Sequence, residues 1–234
     1  MSGEIRAAYD KWHEHFDVDA EADAPWHQLV RAHLGPLGAK RILEIGCGRG
    51  GFSASLAAAQ PRLVCGVDFS RTAVVKAAAF GRSADLARVR FLAGDILAIP
   101  HRDDTFDVVV SCETVEHVSD PRLAVRECAR VLRHGGQLAL TTPNYLGVLG
   151  LYRLYRRLTG RPFTEVGQPV NRVTMLPMTC AWVRAAGLRI TGIESVGHYL
   201  PIPRRPPVRL DSGAPSRGLL KWLGLHSLVV ATKP

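Results

Sequence analysis

The chain has 234 residues and a formal net charge of +9. Its hydrophobic fraction of 47% and charged fraction of 22% exclude a disordered or collagen-like chain and suit one large domain, or one domain with a lid. No apolar run approaches the roughly 20 residues of a membrane-spanning helix, and the N-terminus lacks the basic-then-apolar layout of a secretory leader. The five cysteines, Cys47, Cys65, Cys112, Cys128 and Cys180, contain no Cys-x-x-Cys pair. That argues against a disulfide framework and against a thiolate zinc site. The expectation is a soluble, cytoplasmic protein. Its charge is uneven: residues 1–30 hold seven acids against Arg6 and Lys11, whereas residues 151–234 hold thirteen Lys and Arg against three acids. A basic C-terminal third can face nucleic acid, an anionic membrane surface or a phosphorylated substrate.

In chain order, Tyr9, Trp12, His13 and Phe16 recur at i, i+3, i+4 and i+7, one face of a helix. A second helix spans Trp26–His33 and ends before Gly35-Pro36. From residue 41, short apolar strands alternate with helices. Strands are expected at Arg41–Ile45, Leu63–Val67, Val89–Ala93, Phe106–Ser111 and Gln137–Thr142, and helices at Gly51–Ala59, Thr72–Phe80 and Pro121–Leu132. Such alternation predicts a doubly wound, mostly parallel α/β sheet with helices on both faces. Residues 143–175 break the rhythm and contain an amphipathic basic helix over 149–158. A helix at Thr179–Ala186 with Gly187 after it, a strand at Leu188–Ile193, a proline-rich loop and a strand at Ser227–Thr232 complete seven strands, the last antiparallel at the sheet edge. The expected organisation is a helical cap over 1–38, a core over 39–142, a lid over 143–175 and a C-terminal completion of the sheet over 176–234.

Ligands of an open α/β sheet bind beyond the carboxyl ends of its strands. Here those ends carry Glu44-Ile45-Gly46-Cys47-Gly48-Arg49-Gly50, then Asp68, then Asp95, then the run Glu113 to His117. Glycines let the backbone turn tightly and approach a ligand. Asp68 follows Gly46 by 22 residues, the spacing at which an acid reaches ribose hydroxyls. Asp95 is placed to accept from an exocyclic amine such as that of adenine.

At these residues, together with Gly66-Val67-Asp68-Phe69-Ser70, Gly94-Asp95-Ile96, Phe106–Val110 and Leu132–Gln137, the chain resembles the class I S-adenosylmethionine-dependent methyltransferases. The resemblance covers residues 40–143 closely and implies a Rossmann-like fold with S-adenosylmethionine as cofactor. It implies that Glu44 and the turn Gly46-Cys47-Gly48 hold the methionine part, Asp68 and Phe69 the ribose side, and Asp95 with Ile96 the adenine. Cys112 and Glu113 line the cofactor, and Tyr9 closes over it. A nicotinamide dinucleotide also uses a glycine turn and a ribose acid, but Asp95 and the C-terminal strand favour the methyl donor.

The acceptor side is read from Glu113-Thr114-Val115-Glu116-His117. Imidazole titrates near neutrality, so His117 is the candidate general base, with Glu116 beside it. This run and Thr142-Pro143-Asn144 are similar to the ubiquinone-pathway O-methyltransferases and to the small-RNA 2′-O-methyltransferases. Gln168-Pro169-Val170-Asn171 stands where their metal sites need a histidine, so no metal is expected. The ubiquinone-type enzymes place a membrane-contacting insertion after strand five, which implies peripheral membrane contact through 149–158. The reading is O-methylation of a small-molecule, biosynthetic or amphipathic acceptor. The alternatives are an RNA 2′-O-methyltransferase, a C- or N-methyltransferase of a natural product, and a non-catalytic cofactor-binding partner. Nucleic acid is the less favoured partner, and nothing in the sequence speaks to oligomeric state.

Overall fold

A computed structural model describes residues 3–16, 23–161, 168–200, 208–210 and 218–234. The prolines at 201, 203, 206 and 207, and residues 162–167 of the expected lid, lie outside the described residues. Two helices lead the chain, α1 (Gly3–Glu14) and α2 (Pro25–His33), the second with proline in its first turn. Five βα-type strands follow: β1 (Arg41–Ile45), β2 (Leu63–Asp68), β3 (Val89–Ala93), β4 (Phe106–Cys112) and β5 (Leu132–Pro143). Between them run α3 (Gly51–Ala57), α4 (Arg71–Ser83) and α5 (Pro121–Val131). The chain continues through α6 (Val148–Leu158), α7 (Leu176–Ala185), β6 (Arg189–Val196), the short pair β7 (Tyr199–Leu200) and β8 (Val208–Arg209), and β9 (His226–Thr232). Among the described residues, no helix is long and apolar enough to cross a membrane.

The main sheet has seven strands in the order β3-β2-β1-β4-β5-β9-β6. Strands β1 to β5 pair in parallel, and β9 is antiparallel to both of its neighbours. The seven-stranded, mostly parallel sheet is as expected, with one correction: β9 lies inside the sheet, and β6 forms the edge. Burial explains the placement. Leu228, Val229, Val230 and Ala231 are all buried, as a strand covered on both faces requires, whereas β6 is largely half-buried. Strand β5 also begins earlier than expected. Phe106 pairs with Leu132 and Val108 with Gln137, so the residues between loop out as an irregularity around Gly135 (φ +71°).

Side chains alternate across β1. Ile42 joins a core with Val30 of α2 and Phe52 and Leu56 of α3, while Leu43 and Ile45 join Val125 and Cys128 of α5 and Val183 of α7. Two cores therefore clamp the sheet and hold its strand ends rigid.

Candidate functional site

The carboxyl ends of β1, β2 and β4 open into one cavity, and its floor is made by glycine. At Gly46 (φ +67°) a Cβ would fall 2.3 Å from the Thr114 side chain, so only glycine fits. The Gly46 and Cys47 amides donate to the Val67 carbonyl at 2.8 and 3.2 Å, joining the β1 turn to β2. Asp68 completes the turn: Oδ2 accepts from the Gly48 amide and Oδ1 from the Ser70 amide, each at 2.8 Å. Glu44, buried on β1, accepts from the Ser53 hydroxyl of α3.

Of the cofactor residues expected from sequence, Glu44, Gly46, Cys47 and Gly48 line the cavity from the β1 side. Asp68, Phe69 and Ile96 line it from β2 and β3, Cys112 and Glu113 from β4, and Tyr9 from α1. Asp95 is not part of this wall. Its Oδ1 accepts from the Leu97 amide at 2.9 Å, so the carboxylate caps its own turn, and Ile96 is the neighbour that reaches the cavity. Burial holds the thiols of Cys47 and Cys112 protonated, well above the ordinary cysteine range.

Helix α1 is fastened over this floor. The Asp10 carboxylate accepts from the Ser70 hydroxyl at 2.6 Å and the Thr72 amide at 3.0 Å, at the N-terminus of α4. Lys76 donates to the carbonyls of His13, Glu14 and Phe16 at 2.9–3.0 Å. Arg49, fully buried, meets His13 Nδ1 at 3.1 Å between the rings of Trp12 and Phe16. Burial and then the Arg49 charge push His13 down to about 4, so His13 is neutral and accepts.

The acceptor side gathers around His117, which lines the cavity. Its Nδ1 lies 2.6 Å from the Val170 carbonyl, so Nδ1 carries the proton and Nε2 the lone pair. Nε2 lies 3.6 Å from Oε1 of Glu116, whose side chain is completely buried. Glu116 therefore backs His117 and does not line the cavity. Burial lowers the His117 pKa, opposed by the Val170 hydrogen bond and the Glu113 charge. The Tyr9 hydroxyl donates to the same Val170 carbonyl at 3.3 Å, and burial raises its pKa. The returning arm of the 143–175 insertion is tied further by Arg172, whose amide donates to Glu116 O at 3.0 Å and Nε to Val118 O at 2.8 Å.

Several site residues carried no sequence signal. Trp26 and His27 of α2, Phe52 of α3 and Gln168 of the insertion also line the cavity. His226, the first residue of β9, lies with Nδ1 2.8 Å from Oε2 of Glu113. Among the described residues, no three His, Cys, Asp or Glu side chains converge as a metal cage requires.

Comparison with known proteins gives three findings. Residues 43–140 match a family described as a methyltransferase domain. The 27-O-demethylrifamycin SV methyltransferase of Amycolatopsis mediterranei is 34% identical over 164 residues, covering 68% of this chain and 57% of that protein. A ubiquinone biosynthesis O-methyltransferase of Ralstonia nicotianae is 33% identical over 147 residues, 60% of each protein. The chain thus spans little more than half the length of these curated relatives. Among solved structures, the protein in complex with the Trm112 methyltransferase activator of Haloferax volcanii superposes with a TM-score of 0.71 at 20% identity. That likeness covers 98% of this chain and 97% of the other, and it shows the shared fold.

Proposed function

We propose that the chain carries a class I S-adenosylmethionine-dependent methyltransferase core, and that it transfers the donor's methyl group to a hydroxyl of a small-molecule acceptor. The residues present fit that donor. Asp68 stands at the β2 end for the ribose hydroxyls, Phe69 and Ile96 offer an apolar wall for the adenine, and the Cβ-free Gly46 lets the backbone approach. When bound, S-adenosylmethionine supplies an electrophilic methyl carbon on a sulfonium sulfur.

What carries the hydroxyl reading is the tautomer of His117. With Nδ1–H held by the Val170 carbonyl, Nε2 is the nitrogen left to take a proton. Its lowered pKa keeps it unprotonated at neutral pH, as a general base requires. The buried Glu116 carboxylate, 3.6 Å away, stabilises the imidazolium that results. The printed names of both curated relatives above support oxygen as the acceptor atom. The walls disfavour an anionic acceptor, because among the described residues lining the cavity none is Lys or Arg. That favours a small molecule over the RNA alternative, despite the basic C-terminal third.

The test is methyl transfer from isotope-labelled donor to a panel of hydroxylated small molecules, matched against amines. His117→Ala is expected to lower kcat by about 10²–10⁴-fold while donor affinity stays within about twofold. Transfer only to amines, or unchanged kcat in His117→Ala, would sink the proposal.

A second reading concerns a partner. Helix α6 has no buried side chain, and Leu151, Leu154, Tyr155 and Leu158, at i, i+3, i+4 and i+7, are 51–77% exposed. Arg153, Arg156, Arg157 and Arg161 accompany them, with no acid from 151 to 161. Asn144 fastens the start of this helix to the 222–225 segment, through the carbonyls of Trp222, Gly224 and Leu225. The exposed Leu219, Leu220 and Leu223 and the cation of Lys221 belong to that neighbouring stretch. An apolar stripe with basic flanks suits an anionic lipid surface. This face supports peripheral membrane contact and delivery of an amphipathic acceptor.

A further inference from the structure

Three consecutive residues just beyond β4, Glu116, His117 and Val118, are each held by the segment 170–172. The Glu116 carbonyl accepts from the Arg172 amide at 3.0 Å, and the Val118 carbonyl from Arg172 Nε at 2.8 Å. Between them, His117 Nδ1 lies 2.6 Å from the Val170 carbonyl. Arg172 thus grips the backbone on both sides of the imidazole, once with its main chain and once with its side chain. The Tyr9 hydroxyl of α1 meets the same Val170 carbonyl at 3.3 Å, so one short strap joins α1, the β4 end and the insertion.

The imidazole stands between two acceptors of unequal reach. On one side is the Val170 carbonyl, at hydrogen-bond distance from Nδ1. On the other is Glu116 Oε1, 3.6 Å from Nε2. A neutral imidazole carries one N–H, and the better-placed acceptor decides which nitrogen holds it. At 3.6 Å the carboxylate is too distant for a hydrogen bond, yet its charge, in a fully buried side chain, still draws a proton toward Nε2. The strap opposes that pull. With the Val170 carbonyl withdrawn, the proton would pass to Nε2, against Glu116, and Nε2 would have no lone pair to take a hydroxyl proton.

Val170 acts through a main-chain atom, so its place depends on what fixes the segment around it. Arg172, two residues on, supplies two of the contacts that do so. It is an exposed residue, so the useful part of its side chain is the Nε–H turned inward to Val118, not the charge at its tip. We infer that Arg172 is a positioning residue for His117: by pinning residues 170–172 across 116–118, it keeps the Val170 carbonyl on Nδ1 and leaves Nε2 unprotonated. The inference deepens the proposed function and rests on His117 as its base.

The tautomer can be read without any methyl acceptor. In protein carrying isotope-labelled histidine, at a pH where imidazole is neutral, nitrogen NMR separates the Nδ1–H form from the Nε2–H form. The His117 signals are identified by their loss in His117→Gln, and the other histidine signals report that each variant is folded. Wild-type His117 is expected in the Nδ1–H form. Arg172→Met, which sets a methyl where Nε stands, is expected to shift the balance toward Nε2–H by about fivefold or more. Arg172→Gln, whose amide nitrogen takes the Nε position, is expected to restore it to within about twofold. Both variants lose the charge, so the hydrogen bond to Val118 is what separates them. An unchanged tautomer in Arg172→Met, or equal shifts in the two variants, would overturn the inference. Wild-type His117 already in the Nε2–H form would overturn it as well. Unchanged kcat in His117→Ala would instead overturn the base assignment, whatever the tautomer.

Discussion

His13 shows how a single buried imidazole ties the site to pH. Its pKa, about 4 in the folded protein, lies below the value of about 6.5 it regains on unfolding. The unfolded chain therefore takes the proton first. The stabilising difference is complete above pH 6.5 and is lost as the pH falls toward 4. At 1.36 kcal/mol per pH unit the loss is about 3 kcal/mol. Denaturant unfolding at several values in this window should show that slope, and His13→Asn, which keeps an acceptor for Arg49, should flatten it. Identical slopes in both proteins would refute the assignment. His117 is shifted in the same direction, so the acid limb of the activity profile should fall below pH 6.5.

The elements over the site divide into those legible in the sequence and those that were not. The glycine turn, Asp68 and Ile96 could be read because strand ends in an open α/β sheet point at the ligand, and each is contiguous with its strand. Asp95 follows the same rule, and its Oδ1 also accepts from the Leu97 amide of its own turn. The aromatic face of α1 was legible from its period, and Tyr9 and His13 are indeed its buried residues. What fastens α1 was not: Asp10 meets Ser70, and Lys76 meets three carbonyls, across about 60 residues of chain. The same holds for Val170, which acts through its backbone carbonyl and so leaves no residue-type signature, and for His226, 113 positions from Glu113. The α1 clamp makes a prediction at this scale. Lys76→Met removes the donor from the α1 C-terminus, where a cation is favoured. Amide exchange over residues 3–16 should then accelerate by about tenfold, with core amides unchanged. Unaltered exchange in α1 would show that Asp10 and Arg49 hold the helix alone.

For the whole molecule, charge and apolar surface are sorted to opposite purposes. The cavity keeps carboxylates, whereas α6 and its neighbours carry exposed leucines and arginines. Flotation with phosphatidylglycerol-containing vesicles should recover the protein at low salt, and pure phosphatidylcholine should not. Replacing Leu154 and Leu158 with Glu should abolish recovery, and 0.5 M salt should weaken it, each basic residue contributing about 1 kcal/mol near an anionic surface. Binding to neither vesicle would leave this face to another partner and remove the membrane reading.

The position of β9 has a consequence for how the chain is made. Among the described residues strand β6 pairs only with β9, and β9 begins thirty residues after β6 ends. A ribosome therefore releases β6 well before its partner exists. Each of β1 to β5 finds a partner within the parallel half, but β6 must wait for β9 as an unpaired edge. His226 arrives with β9, so Glu113 gains this hydrogen-bond partner only when that late strand slides into the sheet. Assembly of the parallel half and completion of the binding site are thus separate events in the life of a nascent chain. A stall or cleavage between residues 197 and 225 would yield a protein with its glycine turn formed and Glu113 without its His226 partner.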